Sequence, residues 1–446
     1  MALQPWIRIG QPLENVMDDY ERIFDAWESG GIRGLVCGRM LFADDRGEAT
    51  VPAFPSKPEA YRSRGMEPQA RQETDSLRER LLHEMLENAK GRGWTLLIFA
   101  PGAGCTAAAA LPVDQDPYGA QRWVAQWDEL FSAFPEFDGG LPDGWTESPY
   151  ELQYHHNNAV FRELNDGQVA QVEARGYDVS RLNRGRTHLL QRFQSLTPAM
   201  VQYYGDHGLQ AGMTLFDIDE DTLYWLRWRR EDGLKEGRAV RAALDTLPRR
   251  LLLGNGPRSA VFSGMTGLDF HAWDEIVDFL MVKHYFWHRG FDGMYGTIAR
   301  WVQQIGNWNT DLSETDCFAV ARAWLGIDLP EVETLADMEL GFPQAFFDQV
   351  VQEETRRAIA AVSDPGKIVP WVDTGRTPHG GDPMTAGDLH RILTASKAAG
   401  LQRFLFHNHG HLTAAEWRVI SRLCGAEWNE EPDGYWPPNT PKPGTF

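Results

Sequence analysis

Residues 368–407, IVPWVDTGRTPHGGDPMTAGDLHRILTASKAAGLQRFLFH, decide the fold. Ile368–Val372 and Arg403–His407 are short apolar runs rich in β-branched and aromatic residues, the composition of buried strands. Between them lie a Gly- and Pro-containing loop and a segment, Ala386–Ala399, with apolar residues at helical spacing and a stop at Gly400. Strand, loop, helix, strand is the βα unit that builds a parallel sheet.

Outward from this unit the same alternation recurs. Six further runs read as strands: Trp6–Ile9, Leu35–Phe42, Thr95–Ala100, Phe137–Leu141, Arg250–Gly254 and Phe279–His284. Helical patterns follow the first three, among them Leu77, Leu81, Leu82, Met85 and Leu86 on one face. Eight such runs predict a (β/α)₈ TIM barrel occupying residues 1–446 as one catalytic domain. Two stretches exceed ordinary connections, so helical insertions are expected at 150–248, after strand four, and at 285–367, after strand six. The Pro-rich end, 430–446, reads as an extended tail. An open doubly wound sheet is the competing architecture, but no GxGxxG turn and no GxxxxGK[ST] loop is present.

Composition narrows the function. The 446 residues carry a formal charge of −20, which repels nucleic acid and anionic membranes and suits a neutral or modestly charged substrate. No apolar run reaches the roughly 20 residues of a membrane helix. The opening MALQPWIRIGQPLENV lacks a basic region followed by an apolar stretch, so no secretory leader is expected. Cys37, Cys105, Cys317 and Cys424 are dispersed, without a CxxC pair, which favours free thiols and a cytoplasmic location. Some of the 17 Trp, 22 Phe and 12 Tyr must be core, but several lie in loop-like stretches, where rings can stack on sugar faces; ordinary packing is the plainer reading of any single Trp.

In such barrels the chemistry sits at the C-terminal strand ends. Five of these ends carry polar groups. Strand four leads into Asp143, Trp145 and Glu147; strand five into Asn255 and Arg258; strand six into Lys283, His284, Tyr285, Trp287 and Arg289. Strand seven leads into Asp373 and Arg376, and strand eight into His407, His409 and His411. Strands four and seven lie across the mouth from each other, so carboxylates there can flank a substrate as glycosidic cleavage requires. Glu147, with Asp143 as the alternative, is the candidate acid, and Asp373 the candidate nucleophile or base. Pro142-Asp143-Gly144 also reads as an ordinary turn, and Asp373 as a loop cap. Trp145, Asn255, Lys283, His284, Tyr285, Trp287, Arg289, Arg376, His407 and His409 are candidate substrate-binding residues.

The alternating His407, His409 and His411 would share one side of an extended chain, which supports a rival reading as a metal-dependent lyase, isomerase or hydrolase. Strand one lacks the HxH of metal-dependent amidohydrolase barrels. No GxSxG elbow is present, and Lys283 reads as a salt-bridged rim lysine rather than a Schiff base. A non-catalytic carbohydrate-binding barrel is the third reading.

The segments FPEFDGGLPDGWTE, RLLLGNGP, WDEIVDFLMVKHYFWHRGFDG and IVPWVDTGR, at strands four to seven, resemble the large, poorly characterised group of glycoside-hydrolase-like TIM barrels. The resemblance spans residues 6–424 and implies a strand-four carboxylate as acid/base, Glu147 or Asp143, and a strand-seven carboxylate, Asp373, as nucleophile. It departs from the best-known barrel glycosidases in lacking an Asn-Glu pair at strand four. It implies a carbohydrate or small polar substrate and no cofactor, a divalent metal entering only under the rival reading.

Overall fold

The computed structural model describes residues 2–10, 12–68, 74–99, 119–142, 145, 148–152, 159–205, 207–286, 293–374, 384–431 and 433–440. Its centre is a ring of parallel strands: β1 (Gln4–Ile9), β2 (Gly34–Cys37), β3 (Thr95–Phe99), β4 (Gly139–Leu141), β5 (Leu252–Asn255), β6 (Phe279–Leu280 and Lys283–His284), β7 (Trp371–Val372) and β8 (Arg403–Phe406). The two segments of β6 close the ring. The first pairs with β5, Gly254 opposite Phe279, and the second with β7, Trp371 opposite Lys283. Hydrogen bonds run to both neighbours, Met281 N–H to Asn255 O at 2.7 Å and Trp371 N–H to Val282 O at 2.8 Å. β1 pairs with β8, Trp6 opposite Leu405, so every strand of the ring has two neighbours among the described residues.

Alternation along each strand divides the side chains into an inner and an outer set. The Trp6 ring fills the lumen beside Gly34, where a Cβ would lie 2.5 Å from Trp6 Cγ, and meets Phe279 edge-on at 5.1 Å. One layer higher, Phe99 of β3 meets Trp371 of β7 across the barrel at 5.6 Å, and the Arg8 guanidinium stacks 4.3 Å over Phe99. The opposite parity, Ile7, Leu35, Leu253 and Phe404 among others, is buried outside the ring.

Besides shifts of a residue or two at other ends, such as β1 starting at Gln4 and β5 at Leu252, three strand boundaries differ from the sequence expectation. The run Leu35–Phe42 is two elements: β2 ends at Cys37, and Leu41–Ala43 pairs antiparallel with Ala49–Pro52. Met40 and Phe42 are fully buried, so apolarity continues through the corner and hides it. β4 is confined to Gly139–Leu141; just before it Asp138 donates its N–H to Leu96 O at 2.8 Å and its side chain accepts Leu96 N–H at 2.9 Å. In β7 the regular ladder is confined to Trp371–Val372; Pro370 has no N–H, and Ile368 makes one isolated bridge to Leu280.

The two long connections are helical, as the spacing predicts. Between β4 and β5 run helices Asp166–Ala174, Val179–Phe193, Pro198–Tyr204, Leu209–Leu215 and Glu220–Leu244. Between β6 and β7 run Met294–Trp308, Glu314–Leu325 and Gln352–Ala360, the last preceded by a π-helical stretch, Phe346–Val351. Ser313 and Asp316 form a capping box at one start, and Gly326 closes that helix in the left-handed conformation.

The insertions are locked together by buried groups. Glu151, fully buried after β4, accepts from Thr297 Oγ1 at 2.9 Å and Arg300 Nε at 3.1 Å, both on the β6–β7 insertion. Trp301 Nε1 donates to Tyr150 O at 3.1 Å. Glu354 tethers the same insertion to the loop after β5 by accepting Val261 N–H at 2.8 Å; burial pushes its carboxyl up to about 7, against the lowering effect of that N–H and of Arg357. No helix among the described residues is long and apolar enough to cross a membrane.

Candidate active site

The parity of the strands selects what reaches the mouth. Lys283 and Tyr285 of β6 and its extension share the inner parity with Phe279. Asp373 shares it with Trp371, and His407 with Leu405. Asp373 and His407 are therefore the residues just beyond the last inner layer on adjacent strands. They meet: His407 Nδ1 lies 2.7 Å from Asp373 Oδ2, with the side chains 10% and 2% exposed. Thr374 N–H donates to Asp373 Oδ1 at 2.6 Å. Burial would push the Asp373 carboxyl up. The hydrogen bond and charge of His407, the charge of His411 and the Thr374 N–H outweigh it and hold the group below the ordinary carboxylate value. Aromatic rings wall the pair: Trp371 lies 5.2 Å and Tyr285 5.7 Å from the His407 ring, both edge-on.

A short turn after β8 brings in one more imidazole. Asn408 Oδ1 accepts Gly410 N–H at 3.0 Å, and His411 N–H reaches Asn408 O at 3.0 Å, folding His409–His411 into a 3₁₀ turn. Gly10 makes room for it, since a Cβ there would sit 2.6 Å from Asn408 Oδ1. The turn returns His411 towards His407, ring centroids 6.4 Å apart. Asp373, His407 and His411 each offer a ligand atom, all within 4.8 Å of one another.

The same rules turn four candidate binding residues away from the mouth. His284 has the outer parity, opposite Val372; it is fully buried, neither ring nitrogen has a hydrogen-bond partner among the described residues, and burial pushes it down to about 4. His409 points out of the turn, accepting Gly10 N–H at Nδ1 (3.2 Å) and packing edge-on to Trp27 at 6.2 Å. Burial foremost pushes it, too, down to about 4. Trp145 packs between Trp123 and Trp273, 5.0 and 5.3 Å away, in the helical layer. Asn255 is fully buried, with Nδ2 at 3.5 Å from Trp145 O. The expectation that the three histidines share one side fails because the chain is not extended there: the 3₁₀ turn unites His407 with His411 and ejects His409.

Asp143, Glu147, Trp287, Arg289 and Arg376 lie outside the described residues. Arg8, Phe99 and Trp371 were not among the sequence candidates. They are inner-facing residues within strands rather than beyond them, and only the barrel register marks them.

Neither a family model nor a curated protein matches the chain. Among solved structures, the PgaB (BpsB) glycoside hydrolase domain from Bordetella bronchiseptica is 10% identical over 96% of this chain and 100% of that one, with a TM-score of 0.44. GH5_18 from Streptomyces cattleya, in complex with GlcNAc, is 11% identical over 95% and 80%, with a TM-score of 0.42. A GH18 chitinase from Pseudoalteromonas aurantia is 10% identical over 94% and 98%, with a TM-score of 0.40. These values describe likeness only; the barrel itself is established by the closed ladder of this chain's own strands.

Proposed function

We propose that the protein is a hydrolase that cleaves a glycosidic bond at the C-terminal mouth of its barrel. The observation that carries this reading is the placement of Asp373: a buried carboxylate on the inner face at the end of β7, steadied by His407 and Thr374 and walled by Trp371 and Tyr285. Such a group suits a nucleophile or base, because its oxygens are held in place by His407 and Thr374. The acid would come from across the mouth, where Glu147, or Asp143, follows β4. Lys283 and Tyr285 would hold substrate hydroxyls. Cytoplasmic residence accords with the three described cysteines, which are free; burial foremost raises Cys37 and Cys424 to about 12 and Cys317 to about 11, so none is a ready thiolate.

The test is a screen of aryl glycosides and natural oligosaccharides, repeated with Asp373→Asn on the substrate that is cleaved. Turnover is expected to fall by about 10²–10⁴-fold, the range for losing a positioned acid–base group, while the circular dichroism spectrum stays unchanged. Full turnover by the folded variant would overturn the assignment of Asp373.

A further inference from the structure

We infer that Asp373, His407 and His411 form a binding site for one divalent transition-metal ion of the zinc type. Three observations support it. The donors are two imidazoles and one carboxylate, a mixed nitrogen–oxygen set that zinc and its neighbours take, whereas calcium and magnesium prefer oxygen alone. The three ligand atoms lie within 4.8 Å of one another. Around a tetrahedral ion at about 2.0–2.2 Å from each ligand, they would be roughly 3.3–3.6 Å apart, so small side-chain rotations close the set. Finally, the set is built rather than fortuitous. Asp373 and His407 are brought together by the β7–β8 ladder, and His411 is folded back onto them by the Asn408-capped turn that Gly10 accommodates.

His407 presents Nδ1 to Asp373 Oδ2 at 2.7 Å, so an ion entering between them would take one lone pair from each. The open side of the ion would face the mouth, where water or a ligand completes its coordination.

The site goes beyond the hydrolase proposal and would engage the same Asp373 carboxylate; its test uses no substrate, so failure of the metal site and failure of the hydrolase reading are seen separately. The full chain, stripped with chelator, is titrated with Zn²⁺ in competition with a chromophoric chelator. One equivalent is expected to bind, and the affinity is expected to fall in Asp373→Asn and His411→Gln by more than the roughly 10–100-fold that outer-shell changes cost. His188→Gln, on the surface at 34% side-chain exposure, serves as the control and should match the unaltered protein. Should a variant fail to fold, Co²⁺ added to the unaltered protein decides. Visible d–d absorption that saturates at one equivalent and is displaced by Zn²⁺ supports the site. Absence of stoichiometric uptake, or equal uptake by the folded variants, overturns it.

Discussion

Asp373 and Glu354 are both buried carboxylates, yet their surroundings push them in opposite directions. For Asp373 the neighbouring imidazoles outweigh burial and keep the group charged. For Glu354 burial outweighs Val261 N–H and Arg357, and the group rises to about 7. The consequence for stability follows from proton linkage. A carboxyl raised in the folded state binds its proton more tightly than in the unfolded chain. Its contribution is full below the unfolded value, 4.5, and is lost as pH rises through about 7. Glu354→Gln removes the charge and keeps an acceptor for Val261. Its melting temperature is therefore expected to gain on that of the unaltered protein as pH rises from 4.5 to 7, with the full gain at pH 8. Thermal melts across this range check it, and a gain that shrinks with rising pH would contradict the buried-proton account.

At the scale of elements, small residues facing the lumen explain which strands were faint in the sequence. β4 carries glycine because the neighbouring strand backbone leaves no room: a Cβ on Gly139 would lie 2.0 Å from Leu252 O on β5. Gly34 of β2 yields to the Trp6 ring in the same way. Glycine erases the apolar signal on which strand reading depends, so such strands announce themselves through their partners. Gly139→Ala is expected to cost more than about 4 kcal/mol, in the range reserved for backbone or core disruption. Gly91→Ala, at a helix end with open space around it, should stay within about 1 kcal/mol. Chemical denaturation of the two variants measures the contrast. β6, β7 and β8 were legible because their apolar runs are continuous, and with them came Asp373 and His407 as strand-end residues. His411 was harder to place. Its role depends on a capped turn, and the alternation of three histidines suggested an extended chain instead.

At the scale of the molecule, the barrel is held from above by its two insertions. Glu151 carries no exposed surface, and its described partners are Thr297 and Arg300 from the other insertion. Arg300→Met leaves that carboxylate buried without its cation and is expected to cost about 3–5 kcal/mol; replacing Glu151 by Leu as well should recover most of the loss. Denaturant midpoints of the single and double variants report the coupling. The closure of the ring has a different consequence, for biosynthesis. β1 takes its second neighbour from residues 403–406, which leave the ribosome last among the strands. At roughly 5–20 residues per second, the first strand waits about 20–80 s for that partner. Throughout this interval the nascent sheet carries an unpaired border open to another chain, so a ring that closes on itself when finished depends on protection of its oldest strand while it is being made.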